Sequence, residues 1–129
     1  MRRDVIYSTW INLRGSRGSW RAEERVGEHS WEEKLTHRDR LRVVFVTEKG
    51  KVTEITLVQY EAEIGGKWRA LVRYDVAHGY LHRDIMSPDG TREKLELPYM
   101  DLGEALTQVL EEIHRQWEFY RRVYEEKMK

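Results

Sequence analysis

"KVTEITLVQYEAEIGGKWRALVRYDV", residues 51–76, decides the fold. Its first half alternates, with Val52, Glu54, Thr56 and Val58 opposing Thr53, Ile55, Leu57 and Gln59. A two-residue period in a run rich in Val, Ile, Thr and Tyr predicts a β-strand over 51–64. Gly65 and Gly66 then mark a hairpin turn, because a two-residue turn of this kind needs positive φ at its central positions. A second β-type run follows over 67–76, so the stretch reads as two antiparallel strands.

Working outward, "LRVVFV" (41–46) is another β-branched run, ending at "TEKGK" with Gly50 for the turn. Downstream, "GYLHRDIM" (79–86) is a fourth strand, and "SPDGT" (87–91) places Pro second in a turn with Asp-Gly after it. "REKLEL" (92–97) is a short fifth strand that Pro98 ends. From Leu102 the period changes: Leu106, Val109, Leu110, Ile113, Trp117, Tyr120 and Tyr124 fall in steps of three and four, one stripe on one helical face. Asp101 is an N-cap with Glu104 three residues on, which predicts a helix over 101–126. The expected fold is α+β: an antiparallel β-meander of four to six strands in 41–97, packed on one long C-terminal α-helix.

Residues 1–40 read as less regular. "DVIYSTWINLR" (4–14) alternates like a strand, "GSRGS" (15–19) is a flexible loop, and Gly27 breaks any helix in 20–40. Ser30 is placed to cap a short turn at 31–35, with Glu33 completing a capping box. His29 and His37 lie in polar, irregular sequence and are expected at the surface.

At 129 residues the chain is most simply one domain, 1–129. Apolar content is 40% and charged content 36%, and five Trp and seven Tyr argue against disorder because such rings need something to pack on. The 23 basic and 23 acidic residues cancel, so no global field draws the protein to nucleic acid or membrane. There is no cysteine, which excludes disulfides and thiolate–zinc sites. No apolar run reaches the roughly 20 residues that span a bilayer, and the start lacks the apolar core of a signal peptide. A cytoplasmic location with no membrane partner is the expectation. Few Asn and Gln beside many Glu and Arg suit a thermophile.

Chemistry concentrates in "RYDVAHGYLHRD" (73–84). Residues two apart on a strand share a face, so Arg73 pairs with Asp75 and His82 with Asp84, while His78 sits at the tip beside Gly79. Imidazole can move protons at neutral pH, a carboxylate can orient it, and guanidinium can hold a phosphate. Arg73, Asp75, His78, His82 and Asp84 are the candidate catalytic residues. His78, His82, Asp75 and Asp84 also offer donors for a divalent metal. Equally, cross-strand Arg–Asp and His–Asp pairs simply stabilise a hairpin, by roughly 0.2–1 kcal/mol each. His114 falls between Ile113 and Trp117 on the helix and reads as a boundary residue. "RGSRGSWR" (14–21) could follow a phosphate backbone, but Ala-Glu-Glu follows at once. No phosphate-loop, dinucleotide, serine-hydrolase or zincin motif is present, and no cofactor is expected.

"VRYDVAHGYLHRDIMSPDGTREK", followed by "DLGEALTQVLEEIHRQWEFY", resembles a small family of uncharacterised prokaryotic proteins. Their mark is a strand ending R-Y-D, then A-H-G, H-R-D, a P-D-G turn and a C-terminal helix ending in aromatics. The likeness covers about residues 52–124. More remotely, the order resembles the TumE-type toxins of toxin–antitoxin pairs. Arg73, Tyr74, Asp75 and His78 match their R-Y-D strand and following His, and His82 falls near their second histidine cluster, here with one histidine fewer. That resemblance implies an action on RNA and an antitoxin-like protein partner. Two other readings stand beside it. One is a non-catalytic protein-interaction or oligomerisation module, including a homodimer, using a sheet edge or exposed Trp residues. The other is a metal-binding domain.

Overall fold

A computed structural model describes residues 26–77, 80–98 and 101–129. Six strands run in chain order: β1 (Val26–Thr36), β2 (Asp39–Glu48), β3 (Lys51–Ile64), β4 (Lys67–Ala77), β5 (Tyr80–Met86) and β6 (Arg92–Glu96). They form one sheet in the order β1-β2-β3-β4-β5-β6, each pair antiparallel. One helix, α1 (Leu102–Lys127), packs over β3 and β4. The α+β meander on a C-terminal helix is therefore the fold, with six strands.

Turn chemistry sets the registers. Lys49 (φ 53°) and Gly50 (φ 79°) close the β2–β3 hairpin, and Gly65 (φ 66°) and Gly66 (φ 82°) close β3–β4. Both central residues lie at positive φ, the backbone whose twist matches that of the flanking strands. Asp101 caps α1 by accepting from Glu104 N–H at 3.0 Å.

The helix stripe buries Ala105, Leu106, Val109, Leu110, Ile113, Tyr120 and Tyr124 against Leu41, Val43, Val58, Tyr60, Val72 and Tyr74. Trp117 is only partly buried; its ring meets Tyr60 edge-on at 6.0 Å. Within this layer Asp39 is 2% exposed. It accepts from the Tyr60 hydroxyl at 2.6 Å, Arg121 Nη1 at 2.8 Å and the Thr36 hydroxyl at 2.5 Å. Burial and the hydrogen bond to Asp39 push the Tyr60 hydroxyl far above its ordinary value, so it stays a neutral donor. Among the described residues no helix is long and apolar enough to cross a membrane.

The expected turn at 31–35 is instead the middle of β1. His29, Trp31, Glu33 and Leu35 point inward and alternate with exposed Glu28, Ser30, Glu32 and Lys34. The strand was hidden because two of its inward residues are polar. His29, expected at the surface, is buried, stacks on Phe45 and bonds the Thr47 hydroxyl at 2.8 Å. Glu33 meets His114 Nε2 at 2.9 Å, and His114 Nδ1 lies 2.7 Å from the Leu110 carbonyl, which ties α1 to β1. His37 is exposed in the β1–β2 turn. The features read at 4–14, 14–21 and 15–19 lie outside the described residues.

Candidate functional site

Cross-strand partners share a face of an antiparallel sheet. Arg73 stands opposite Asp84 and Asp75 opposite His82, so these four candidates lie on one face, away from α1. Tyr74 and Arg83, one residue along, face the helix, where Arg83 Nη1 lies 3.7 Å from Glu112. The convergence expected of the hairpin thus holds for Arg73, Asp75, His82 and Asp84. His78 lies outside the described residues.

The Arg73–Asp75 pairing is the expected one, and the partner of His82 is not. Arg73 Nε lies 3.5 Å from Asp75 on its own strand, and no Asp75–His82 ion pair forms. His82 is 7% exposed, and its Nε2 lies 3.5 Å from Glu96. Asp84, 3% exposed, lies 3.3 Å from Arg92 Nη1 and 3.4 Å from Lys94 Nζ. Arg73, Asp75 and Asp84 therefore each have an opposite charge beside them, and His82 has the Glu96 carboxylate. Glu96, Arg92 and Lys94, all from β6, were not among the sequence candidates. Their signal was available: Arg92, Lys94 and Glu96 alternate with Glu93 and Leu95, and the short 87–91 turn puts the charged set on the His82 side.

The same face continues across β1 to β3. Glu61 accepts from Arg40 Nε at 2.6 Å, Gln59 Nε2 at 2.5 Å and Arg42 Nη1 at 3.3 Å. Burial alone would raise the Glu61 carboxyl, but hydrogen bonds from Arg40 and Gln59 and the charges of Arg40 and Arg42 outweigh it and hold it below the usual range. Arg40 also reaches Glu32 at 3.3 Å and lies 4.0 Å above the exposed Trp68 ring. In all, five cations (Arg40, Arg42, Arg73, Arg92, Lys94) interleave with five carboxylates (Glu32, Glu61, Asp75, Asp84, Glu96). Exposed Tyr80 shares the face two residues from His82.

Among the described residues no three His, Cys, Asp or Glu side chains form a set that could hold a metal ion. Asp75, His82 and Asp84 are neighbours on this face, but both carboxylates already lie beside cations, Arg73 for Asp75 and Arg92 and Lys94 for Asp84.

The fold and face together define a small α+β domain with one side of the sheet sealed by a helix and the other ionically cross-linked and, among the described residues, covered by no further element. Residues 21–129 match the model of DUF7718, a domain of unknown function, and the chain belongs to that family. No curated protein and no solved structure matches it significantly.

Proposed function

We propose that this domain is a non-catalytic protein-interaction module that works through the open sheet face. One observation carries the reading: on that face five cations are paired with four carboxylates, and a fifth carboxylate, Glu96, lies beside His82. A polyanion such as RNA is held by an excess of Lys and Arg over its phosphates. A general base needs an imidazole free to reach a substrate proton. This face has no charge excess, and His82 is buried against Glu96. A protein surface carrying both signs suits it, and exposed Trp68 and Tyr80 with Arg42 and Arg73 are the residue types that anchor protein interfaces.

A toxin-like action on RNA is the second reading. It is favoured by Arg73, Asp75, His82 and Asp84 sharing one face with an exposed tyrosine on which a base could stack. Expression in bacteria separates the two. Under the module reading, growth and cellular RNA stay intact with wild type and with His82→Ala alike. Growth arrest with RNA breakdown, relieved by His82→Ala in a folded protein, overturns it in favour of the toxin.

A further inference from the structure

One row of the open face crosses all six strands in continuous register: Glu32, Arg42, Gln59, Arg73, Asp84, Lys94. Its two outer pairs are opposite in charge about the midline between β3 and β4. Glu32 at one end mirrors Lys94 at the other, Arg42 mirrors Asp84, and the Gln59 amide mirrors the Arg73 guanidinium. We propose that the partner of this face is a second copy of the same chain, packed face to face about a two-fold axis that runs along the strands between β3 and β4. The inference rests on the interaction-module reading above and names its partner.

Under that symmetry β1 lies over β6, β2 over β5 and β3 over β4. Each residue of the row then meets its complement twice, as an isologous interface requires. Glu32 meets Lys94 of the second copy, Arg42 comes over the Asp84 that already pairs with Arg92 and Lys94, and the Gln59 amide oxygen accepts from the Arg73 guanidinium. In the adjacent row Ser30 comes over Glu96 and Val44 over His82. Tyr80, two residues beyond His82, lies over half-buried Val46. Lys34 and Arg92 stand opposite each other at the rim, where solvent screens them. Packed sheets cross at about 30°, a skew that grows toward the edge strands and falls on the long Glu32 and Lys94 side chains.

The area is sufficient. With strands about 4.8 Å apart, and the overlap limited by the 5 residues of β6 and the 7 of β5, the shared face is about 24 Å by 25 Å, on the order of 600 Å². That lies at the low end of what each partner contributes to a standard stable interface, about 600–1,000 Å². RNA would find no such two-fold match in the row, and charge reversal at one end would not be repaired by reversal at the other.

That difference supplies the test. The Glu32 and Lys94 side chains are 49% and 55% exposed, so exchanging their charges leaves the core untouched. Wild type should sediment as a dimer whose dissociation rises with salt. Glu32→Lys and Lys94→Glu should each weaken self-association at least about tenfold, because each places two like-charge contacts in the symmetric interface. An equimolar mixture of the two should re-associate one to one, and the double variant should dimerise as wild type does. Circular dichroism checks that each variant is folded. A wild type that stays monomeric at every concentration overturns the proposal, as does a mixture of folded single variants that fails to associate. So does binding of an oligouridylate by a monomeric wild type. None of these readouts depends on the growth and RNA assay, so the self-partner can fail while the module reading stands, and the reverse.

Discussion

The two faces of the sheet hold polar networks of similar composition on different physical terms. Under α1, Asp39 and Tyr60 are both enclosed, and the Arg121 that joins them is largely covered. On the open face Asp84 is equally enclosed, yet its partners Arg92 and Lys94 extend into solvent. A network whose members are mostly desolvated must be satisfied in one geometry, since an orphaned member has no water to turn to. A network with solvated partners can exchange them at little cost, because exposed ion pairs contribute only about 0–1 kcal/mol each. The covered face fixes the fold, and among the described residues the other face carries no packed element.

Breaking the covered face should therefore have the largest effect. Ile113 is fully buried between helix and sheet. Ile113→Ala should cost about 3–4 kcal/mol in urea unfolding, from lost transfer energy plus the cavity left behind. A cost below about 1 kcal/mol would mean that α1 does not dock through this stripe.

The next effect isolates the polar part of the same face. Asp39→Asn keeps the volume and removes the charge that Arg121, Tyr60 and Thr36 address. The loss expected is about 2–3 kcal/mol, less than for a sealed ion pair because Arg121 is partly solvated. Tyr60→Phe combined with Asp39→Asn should then add almost nothing, since the hydroxyl's strong acceptor is already gone. Additive losses would show that Asp39 and Tyr60 act independently.

The two faces also differed in how much the sequence revealed. Strands 51–64 and 67–76 and the terminal helix were legible because apolar residues occupied most inward positions and glycines marked the turns. β1 was not legible, because inward Glu33 and His29 are made acceptable by His114 and Thr47, residues distant in sequence. The open face was half legible. Strand parity placed Arg73, Asp75, His82 and Asp84 together, but which carboxylate serves which cation depends on β6 and β3. The linear spacing suggested that a carboxylate within the hairpin would orient His82; the ion pairs put Arg73 beside Asp75 and Glu96 beside His82. Side-chain choice among several nearby opposite charges is decided by reach and solvation, which local sequence does not encode.

The smallest effect expected is on the open face and depends on pH. Glu61 is its most connected junction, holding Arg40, Arg42 and Gln59. Those partners depress its carboxyl in the folded protein, against the opposing effect of burial. The unfolded chain, with an ordinary glutamate value of about 4.3, therefore takes up the proton at a higher pH than the folded protein does. It follows that the charge of Glu61 stabilises the fold fully above about pH 4.3, and that this contribution is lost as pH falls through the lower folded value. Glu61→Gln should cost about 1 kcal/mol at pH 7, since Arg42 remains well solvated and Arg40 keeps Glu32 and Trp68. Denaturant titrations repeated down to about pH 3 should show the wild-type advantage shrinking toward zero. A gap of constant size across that range would mean that Glu61 serves the sheet by shape and hydrogen bonding alone. The lattice would then owe its arrangement to packing rather than to charge, and the complementarity across its central row would lose its physical basis.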